Sequence, residues 1–281
     1  MEQINLIDKV SAVIIIVAIS LLFVIIGIFF SKGHSGLKNY LVANRSINAL
    51  SLTTSFIASA LGTWILFGPA SAATWGGIGA VLGYALGTAA PLIFLIFLGK
   101  KFRDMYPDAY TLIEVIRYRF GYKLFKLILL LSIFYMIIFL IAEVTAVAIL
   151  VRYLSGTNLW ITSLLVISSS LIYTLYGGLR ASIFTDKVQF FIIFILLFTS
   201  FSYLVIQNHA NFNFNFISEN NPNLLSYNYL PNFTAGLTFF IAVAATNLFH
   251  QGNWQRVYAA KNNKILIRSL IFSSIIIIPV I

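Results

Sequence analysis

The chain has 281 residues, of which 60% are hydrophobic and only 9% are charged, whereas a soluble globular protein carries about a quarter charged residues. So little polar surface cannot cover a water-soluble fold, and apolar runs recur along the whole length. We therefore predict an all-α, polytopic membrane protein. The net charge of +10 does not indicate nucleic-acid binding, because the basic residues fall between the apolar runs, and the absence of cysteine excludes disulfides and thiolate metal sites.

Apolar segments of membrane-spanning length follow one another along the chain. Eight can be marked, each near the roughly 20 residues that cross a hydrocarbon core of about 30 Å. The first is predicted to remain as an anchor, because its apolar run is too long for a cleavable signal and Glu2 and Asp8 precede it. The eight segments are residues 10–30, 47–70, 75–98, 124–151, 159–176, 188–206, 233–249 and 265–281.

The basic residues orient these segments. Sixteen of the 18 Lys and Arg residues fall in four alternate connections, and only Lys9 and Arg152 fall in the other set. Because cytoplasmic connections carry an excess of Lys and Arg, the N-terminus is predicted to lie outside. Frequent Ile, Asn, Lys, Phe and Tyr suggest an AT-rich gene, so we expect the plasma membrane of a bacterium. The four basic connections are residues 31–46, 99–126, 177–187 and 250–268.

Two of the connections have features of their own. Within the cytoplasmic connection 99–126, the amphipathic residues 111–120 are predicted to form a short surface helix. Asp108, Thr111 and Glu114 offer alternative N-cap arrangements for it. The outer connection at residues 207–231 is long, rich in Asn and nearly uncharged. We expect it to be an extracellular loop without a chemical motif.

Glycines are concentrated in segments two and three. Seven of the 17 glycines lie between Gly62 and Gly87. In segment three their four-residue spacing, at positions 79, 83 and 87, predicts close helix packing. In segment two, Gly62 is flanked by Ser59 and Thr63, and a discontinuous helix is favoured over simple packing. Hydrocarbon tolerates an interrupted backbone only where protein or a polar cavity replaces its hydrogen bonds, so such a break marks a binding site.

Segment seven supplies a second interruption. Its apolar pattern dissolves at residues 246–253, which read Thr-Asn-Leu-Phe-His-Gln-Gly-Asn, although a helix that simply ends at the cytoplasmic face would explain the same residues. Segments two and seven are separated by five crossings. Because five is odd, a repeated five-helix unit inserts upside down the second time, which is typical of inverted-repeat transporters.

Three sequence motifs resemble those of a known family. Residues 173–189 read Tyr-Thr-Leu-Tyr-Gly-Gly-Leu-Arg-Ala-Ser-Ile-Phe-Thr-Asp-Lys-Val-Gln and closely resemble the Gly-Gly-Leu…Thr-Asp…Gln signature of the sodium:solute symporter family. Residues 255–261 are similar to its Gln-Arg…Ala-Ala-Lys motif, and residues 39–45 are similar to its approach to the first core helix. Together the matches span about residues 39–262.

The resemblance implies sodium-driven uptake by alternating access. Aligned with the family, the break in segment two makes the backbone carbonyls of Ala58 and Leu61 the sodium ligands. Asp186 of the Thr-Asp motif matches the acid near the sodium exit route, and we count it with the sodium site. Asn247 and Phe249 resemble the polar and aromatic gate region of the sixth core helix.

The resemblance also implies a fold and a division of the chain. The fold is a LeuT-type five-helix inverted-repeat bundle with an extra N-terminal helix and an incomplete second repeat. The expected parts are the extra helix with its loop at 1–46, the first repeat at 47–206, the extracellular loop at 207–232 and two helices of the second repeat at 233–281.

Glu143 is the one acid that lies well inside an apolar segment without a helix-cap explanation. An ionised carboxylate there costs roughly 2.5 to 3.5 kcal/mol by insertion scales, so it is expected to face the bundle interior. A substrate or ion contact is favoured over a protonated Glu that is hydrogen-bonded to a neighbouring helix. With Glu143, the residues Gly62, Thr63, Asn247 and Phe249 are the candidate substrate or gate residues.

Other polar residues have competing structural explanations. Asp186 follows Thr185 before an apolar run, so it is also a candidate N-cap of segment six. His250 is predicted to be a cytoplasmic hydrogen-bonding residue, and Arg256 a phosphate-facing or loop residue rather than a catalytic one.

The sequence ends inside the second crossing of the second repeat. From this we expect an N-terminal fragment, a split gene or a truncated product, with a separate chain as one source of the missing helices. The expected partners are sodium, a small polar solute and the lipid bilayer, without an organic cofactor. A transporter-like sensor module and an inactive remnant remain alternatives. An enzyme is not predicted, because no nucleophile and base pair is visible.

Overall fold

The computed structural model describes residues 6–33, 36–206, 214–226 and 228–281, and these ranges are largely helical. Residues 207–213 of the predicted extracellular loop lie outside the described residues. Short 3-10 turns at Ala43–Arg45 and Pro222–Leu225 accompany the α-helices. The helices are α1 Lys9–Ser31, α2 Leu37–Val42, α3 Ala49–Ala60, α4 Trp64–Met105, α5 Leu112–Ser155, α6 Leu159–Ile206, α7 Phe214–Asn220, α8 Leu230–Phe249, α9 Gln251–Ala259 and α10 Asn263–Val280.

Six helices in the described part of the chain are long and apolar enough to cross a membrane. Three of them, α4, α5 and α6, have 42, 44 and 48 residues. A straight helix of that length would reach about 63 Å or more, twice the hydrocarbon thickness. Each contains one glycine with non-helical dihedral angles, namely Gly77, Gly121 and Gly178, where φ is 54°, 81° and 56°. The helix path changes direction at these glycines.

The eight predicted segments map onto these helices when α4 and α6 are divided at their glycines. Segment two is α3 with the first part of α4, and segments five and six are the two parts of α6. The predicted connection at 177–187 is wrong, because helix resumes directly after a kink at Gly178, whose positive φ suits glycine. Asp186 therefore lies inside a helix and cannot cap its start.

The short helix predicted in the connection after α4 is confirmed. The N-cap Thr111 accepts a hydrogen bond from the Glu114 backbone N–H at 3.3 Å, and the Glu114 carboxylate accepts one from the Tyr110 N–H. The first bond satisfies a donor that the first helical turn leaves free, and the second ties the residue before the N-cap to the helix. The amphipathic stretch then runs to Gly121, where α5 turns into its long apolar part.

The glycines of segment three pack closely against another helix, as predicted, and the structure shows that this helix is α8. A side chain at these positions would overlap the backbone of α8 or press closely against it. The facing pairs are Gly79 with Asn232, Gly83 with Gly236 and Gly87 with Phe240. Because both members advance by four residues, the two helices pack in parallel through successive turns.

Helix α3 begins, and helix α9 ends, at the level of Ile47, so the two helices run in opposite directions. The Ile47 N–H donates to the Ala259 carbonyl at 3.1 Å, and the Lys261 N–H donates to the Ile47 carbonyl at 3.1 Å. From this level, α3 extends over 12 residues, about 18 Å, and α9 over 9 residues, about 14 Å. Their far ends therefore lie about half a hydrocarbon thickness away. The predicted cytoplasmic connection 250–268 begins too early, because residues 251–259 form a helix that returns from the interior.

Replacement of Gly83 by valine is expected to lower the melting temperature of the detergent-solubilised protein. The added side chain meets the Gly236 backbone, and overpacking of this kind costs roughly 1–3 kcal/mol. The control is Ala70→Val, which enlarges an exposed residue of the same helix. Equal melting temperatures for the two variants would contradict the close α4–α8 contact.

Candidate functional site

The first interruption lies between α3 and α4, at Leu61, Gly62 and Thr63. In an unbroken helix the Thr63 N–H would bond the carbonyl of Ser59, but here it donates to Glu143 Oε2 at 2.8 Å. Leu61, with φ −89° and ψ 53°, has left the helical conformation. The last carbonyls of α3, among them that of Ala58, thereby lose their regular partners at the depth of the break.

The approach of Glu143 from α5 favours glycine at position 62. A Cβ at this position would overlap the Glu143 carboxylate, and it would lie 3.0 Å from Cδ1 of Trp64. The structure thus brings together Gly62, Thr63 and Glu143, three of the residues predicted for the site. The carboxylate takes the place of a helix turn for one freed amide.

The second interruption lies at His250, between α8 and α9. Side chains of α9 satisfy the last carbonyls of α8: Asn253 Nδ2 donates to the Asn247 carbonyl at 2.9 Å, and Trp254 Nε1 donates to the Leu248 carbonyl at 2.8 Å. The Asn247 side chain itself donates to the Val243 carbonyl at 3.0 Å. Specific side-chain hydrogen bonds therefore stabilise this interruption, since amide and indole donors replace the missing helical bonds.

The last turn of α3 and the break between α8 and α9 meet at a small cavity. Its volume, about 10 Å³ for the centre of a water molecule, holds roughly one water. The end of α3, the middle of α4, α5 and the α8–α9 break all contribute to its wall. The lining residues are Phe56, Ser59, Ala60, Thr88, Pro91, Leu92, Phe139, Asn247, His250 and Asn253. Hydroxyl, amide and imidazole groups thus converge where two helices stop.

A buried ion pair lies beside this cavity on the α3 side. Asp186 Oδ2 accepts hydrogen bonds from Arg256 Nη2 at 2.7 Å and from the Ser55 hydroxyl, and Arg256 Nε donates to the Ser55 oxygen at 2.7 Å. The two charged side chains are 13% and 7% exposed. The triad therefore connects α6, α9 and α3 through charge-assisted bonds.

The predicted site residues do not all lie together. Ala58 is buried on the last turn of α3, and Leu61 ends that helix at the break. Asp186 is engaged by Arg256 and Ser55, one turn of α3 before Ala58. Phe249, by contrast, is 59% exposed and lines a separate apolar cavity, so the structure does not bring its ring to the small cavity.

Sequence reasoning missed several residues of the site. His250 was predicted to be cytoplasmic, yet its ring lines the cavity and packs edge-on against Phe139 at 5.3 Å between centroids. Arg256 was predicted to face phosphate or a loop, yet it is the partner of Asp186. Asn253 and Thr88 were not singled out. The one available signal was charge balance, since a buried acid requires a cation and Arg256 stands in a motif.

Comparison with known proteins identifies the family. The model of the sodium:solute symporter family matches residues 40–281, which is most of the chain. The chain belongs to this family. The resemblance expected from the three motifs is therefore confirmed.

Two relatives illustrate the range of the family. The chain is 28% identical over 243 residues to the spermidine transporter DUR31 of Candida albicans, covering 85% of this chain and 45% of that protein. It is 29% identical over 198 residues to the sodium/glucose cotransporter 2 of Rattus norvegicus, covering 68% of this chain and 29% of that protein. The chain thus spans less than half the length of these relatives. Both are transporters, in agreement with the prediction that the chain is not an enzyme.

A solved structure has the same fold. The substrate-bound, outward-open structure of a sodium-coupled sialic acid symporter matches with a TM-score of 0.66 and 17% identity, over 97% of this chain and 58% of that one. The likeness confirms the predicted LeuT-type architecture. With six apolar helices of spanning length among the described residues, the chain is a multi-pass membrane protein.

Replacement of Gly62 by alanine tests the contact with Glu143. The added methyl group overlaps the carboxylate, so Gly62→Ala is expected to lower the melting temperature clearly in the natural background. In a Glu143→Ala background, Gly62→Ala is expected to have little effect on the melting temperature, because the obstructing carboxylate is gone. Equal losses in both backgrounds, measured by thermal unfolding in detergent, would contradict the observed contact.

The buried ion pair has a different stability signature. Removal of one partner leaves an uncompensated buried charge and costs about 3–5 kcal/mol, so Asp186→Asn and Arg256→Gln are each expected to destabilise the protein strongly. The double variant is expected to lose much less than the sum, because neither charge remains. Additive losses in the double-mutant cycle would show that the side chains do not interact. The exposed pair Lys100 and Asp104 is the control, with small losses throughout.

Proposed function

We propose that the protein containing this chain is a sodium-coupled symporter that imports a small polar organic solute by alternating access. The observation that carries the proposal is the meeting of two interrupted helices at one polar cavity, about half a hydrocarbon thickness from the Ile47 level. Paired interrupted helices of this kind form the ion and solute sites of inverted-repeat transporters. Membership in the family and the transporter names of the relatives support the same activity.

In this proposal the sodium ion binds to the backbone carbonyls of Ala58 and Leu61. Both stand where α3 ends, and the helix terminus carries a partial negative charge that favours a cation. Oxygen atoms are the ligands that hard cations prefer. Asp186 belongs to the same region but is paired with Arg256, so it acts in sodium release only after that pair has separated.

The ion pair also provides an element of the conformational cycle. Asp186 and Arg256 hold α6 and α9 together at the part of the site that leads toward the Ile47 level. Opening of the cavity toward that side requires their separation. Sodium and solute then couple through the two states, because each shifts the equilibrium only by its difference in affinity between them.

The orientation is part of the proposal. The basic residues next to Ile47 and around the kink at Gly178 are assigned to the cytoplasm, which places the N-terminus outside. The α3 and α9 half-helices then occupy the cytoplasmic half of the membrane, and the first part of α4 occupies the outer half. The membrane is proposed to be the bacterial plasma membrane, on composition alone.

Sodium binding is tested by thermal unfolding of the complete protein in detergent. Sodium chloride is expected to raise the melting temperature in a saturable manner relative to potassium chloride at equal ionic strength. A ligand at 100 times its dissociation constant stabilises by about 2.7 kcal/mol. The sodium effect is expected to weaken in Asp186→Asn and to persist in Asp104→Asn, an exposed control. Identical unfolding in the two salts would contradict sodium coupling.

A further inference from the structure

The Glu143 carboxylate is only half satisfied. Its Oε2 accepts the Thr63 N–H, while Oε1 is buried and has no hydrogen-bond partner among the described residues. An ionised Oε1 lacks a counterion there, and a protonated Oε1 lacks an acceptor for its proton. In either state the buried oxygen makes no well-aligned hydrogen bond to the described residues, which costs free energy unless a water molecule or a ligand supplies one.

Glu143 differs in this respect from Asp186, the acid of α6. Asp186 has Arg256 and Ser55 as partners, whereas the salt bridges of the described residues include none to Glu143. Acids at membrane depth normally pair with a cation or mark a binding site. Glu143 thus presents an unneutralised oxygen at the break between α3 and α4.

A row of aromatic rings leads away from this oxygen. Trp64, which adjoins Gly62, lies 5.5 Å from Tyr84 between ring centroids, and Tyr84 stacks on Phe239 at 4.4 Å. Phe239 lies 5.5 Å from Trp75, which is 56% exposed. Trp64 and Trp75 stand at the two ends of the first part of α4, so the row extends from the break to the turn at Gly77, over about 17 Å.

We infer that Glu143 and this aromatic row form a binding site for an organic cation, with an ammonium group as the part that Glu143 recognises. The inference rests on the proposed function and names the chemical class of its solute. An ammonium N–H gives Oε1 both the donor and the counterion that it lacks. Aromatic faces attract a cation through their quadrupoles. The cost of removing the cation from water is lowest for an organic cation with an apolar stem.

The same arrangement disfavours other classes of solute. An anionic solute would meet the Glu143 charge without a compensating cation among the described neighbours. A neutral polyol requires several hydrogen-bond partners for its hydroxyl groups, and the aromatic row offers mainly apolar ring surface in their place. Sodium prefers a shell of oxygen atoms, which the end of α3 offers and the aromatic row does not.

The test is a comparison of two solutes of equal length, 1,4-diaminobutane and 1,4-butanediol, with the complete protein in proteoliposomes. Sodium-dependent uptake is expected for the diamine and not for the diol. In detergent, the diamine is expected to raise the melting temperature and the diol to leave it unchanged. A preference for the diol, or equal response to both solutes, would overturn the inference.

Variants locate the recognition. Glu143→Gln is expected to weaken diamine binding by about tenfold or more, because it removes the charge while keeping the shape. The matched control Glu219→Gln removes an exposed carboxylate of α7 and is expected to bind normally. Tyr84→Leu is expected to weaken diamine binding and Tyr84→Phe to preserve it. Normal diamine affinity in folded Glu143→Gln would overturn the role of the carboxylate.

The outcomes separate this inference from the proposed function. Sodium-dependent uptake of a neutral solute such as glucose, with no response to diamines, would refute the cation site and leave sodium symport intact. Loss of sodium stabilisation in Glu143→Gln, with no diamine response in the natural protein, would assign Oε1 to the ion instead. If Glu143→Gln does not fold, the comparison of diamine and diol in the natural protein decides.

Discussion

A backbone that stops being helical inside a membrane must find new hydrogen-bond partners, and this constraint organises the structure. At Gly62 the freed amide of Thr63 goes to Glu143, and at His250 the freed carbonyls of α8 go to Asn253 and Trp254. These solutions come from other elements or from the next half-helix. The interruptions therefore fix where α5 and α9 stand, and the last turn of α3, with Ser59 and Ala60, lies in the wall of a cavity.

The two acids inside the membrane show how the surroundings separate two roles. Asp186 is neutralised by Arg256 and connects three helices. It therefore stabilises the packing of these helices in every conformational state in which the ion pair is formed. Glu143 is neutralised by no side chain among the described residues and supports a broken helix with one oxygen only. The sequence shows two acids in apolar surroundings, but their different roles appear only with the fold.

The helical class, the two interruptions and the close packing of the α4 glycines were predictable from local pattern, whereas the partner helix α8 was not. Gly62 with its small polar neighbours and the four-residue glycine spacing carry that information within a few turns of helix. Two local features misled: the helix kinks at Gly178 without a loop, and α9 is too polar to be recognised as an interior half-helix. Arg256 contacts Asp186, which lies 70 positions earlier in the chain, and no local pattern encodes such a contact.

The central claim is that the end of α3 opens into a polar cavity where sodium binds. The chain contains no cysteine, so Ser59→Cys places a single thiol in the cavity wall. The most direct measurement is the rate at which a small, water-soluble methanethiosulfonate reagent modifies this thiol in membranes, in sodium and in potassium. Modification that sodium slows and potassium does not, with Ser71→Cys indifferent to both ions, is the predicted result. A thiol that stays unreactive, or one that reacts equally in both ions, would contradict the account.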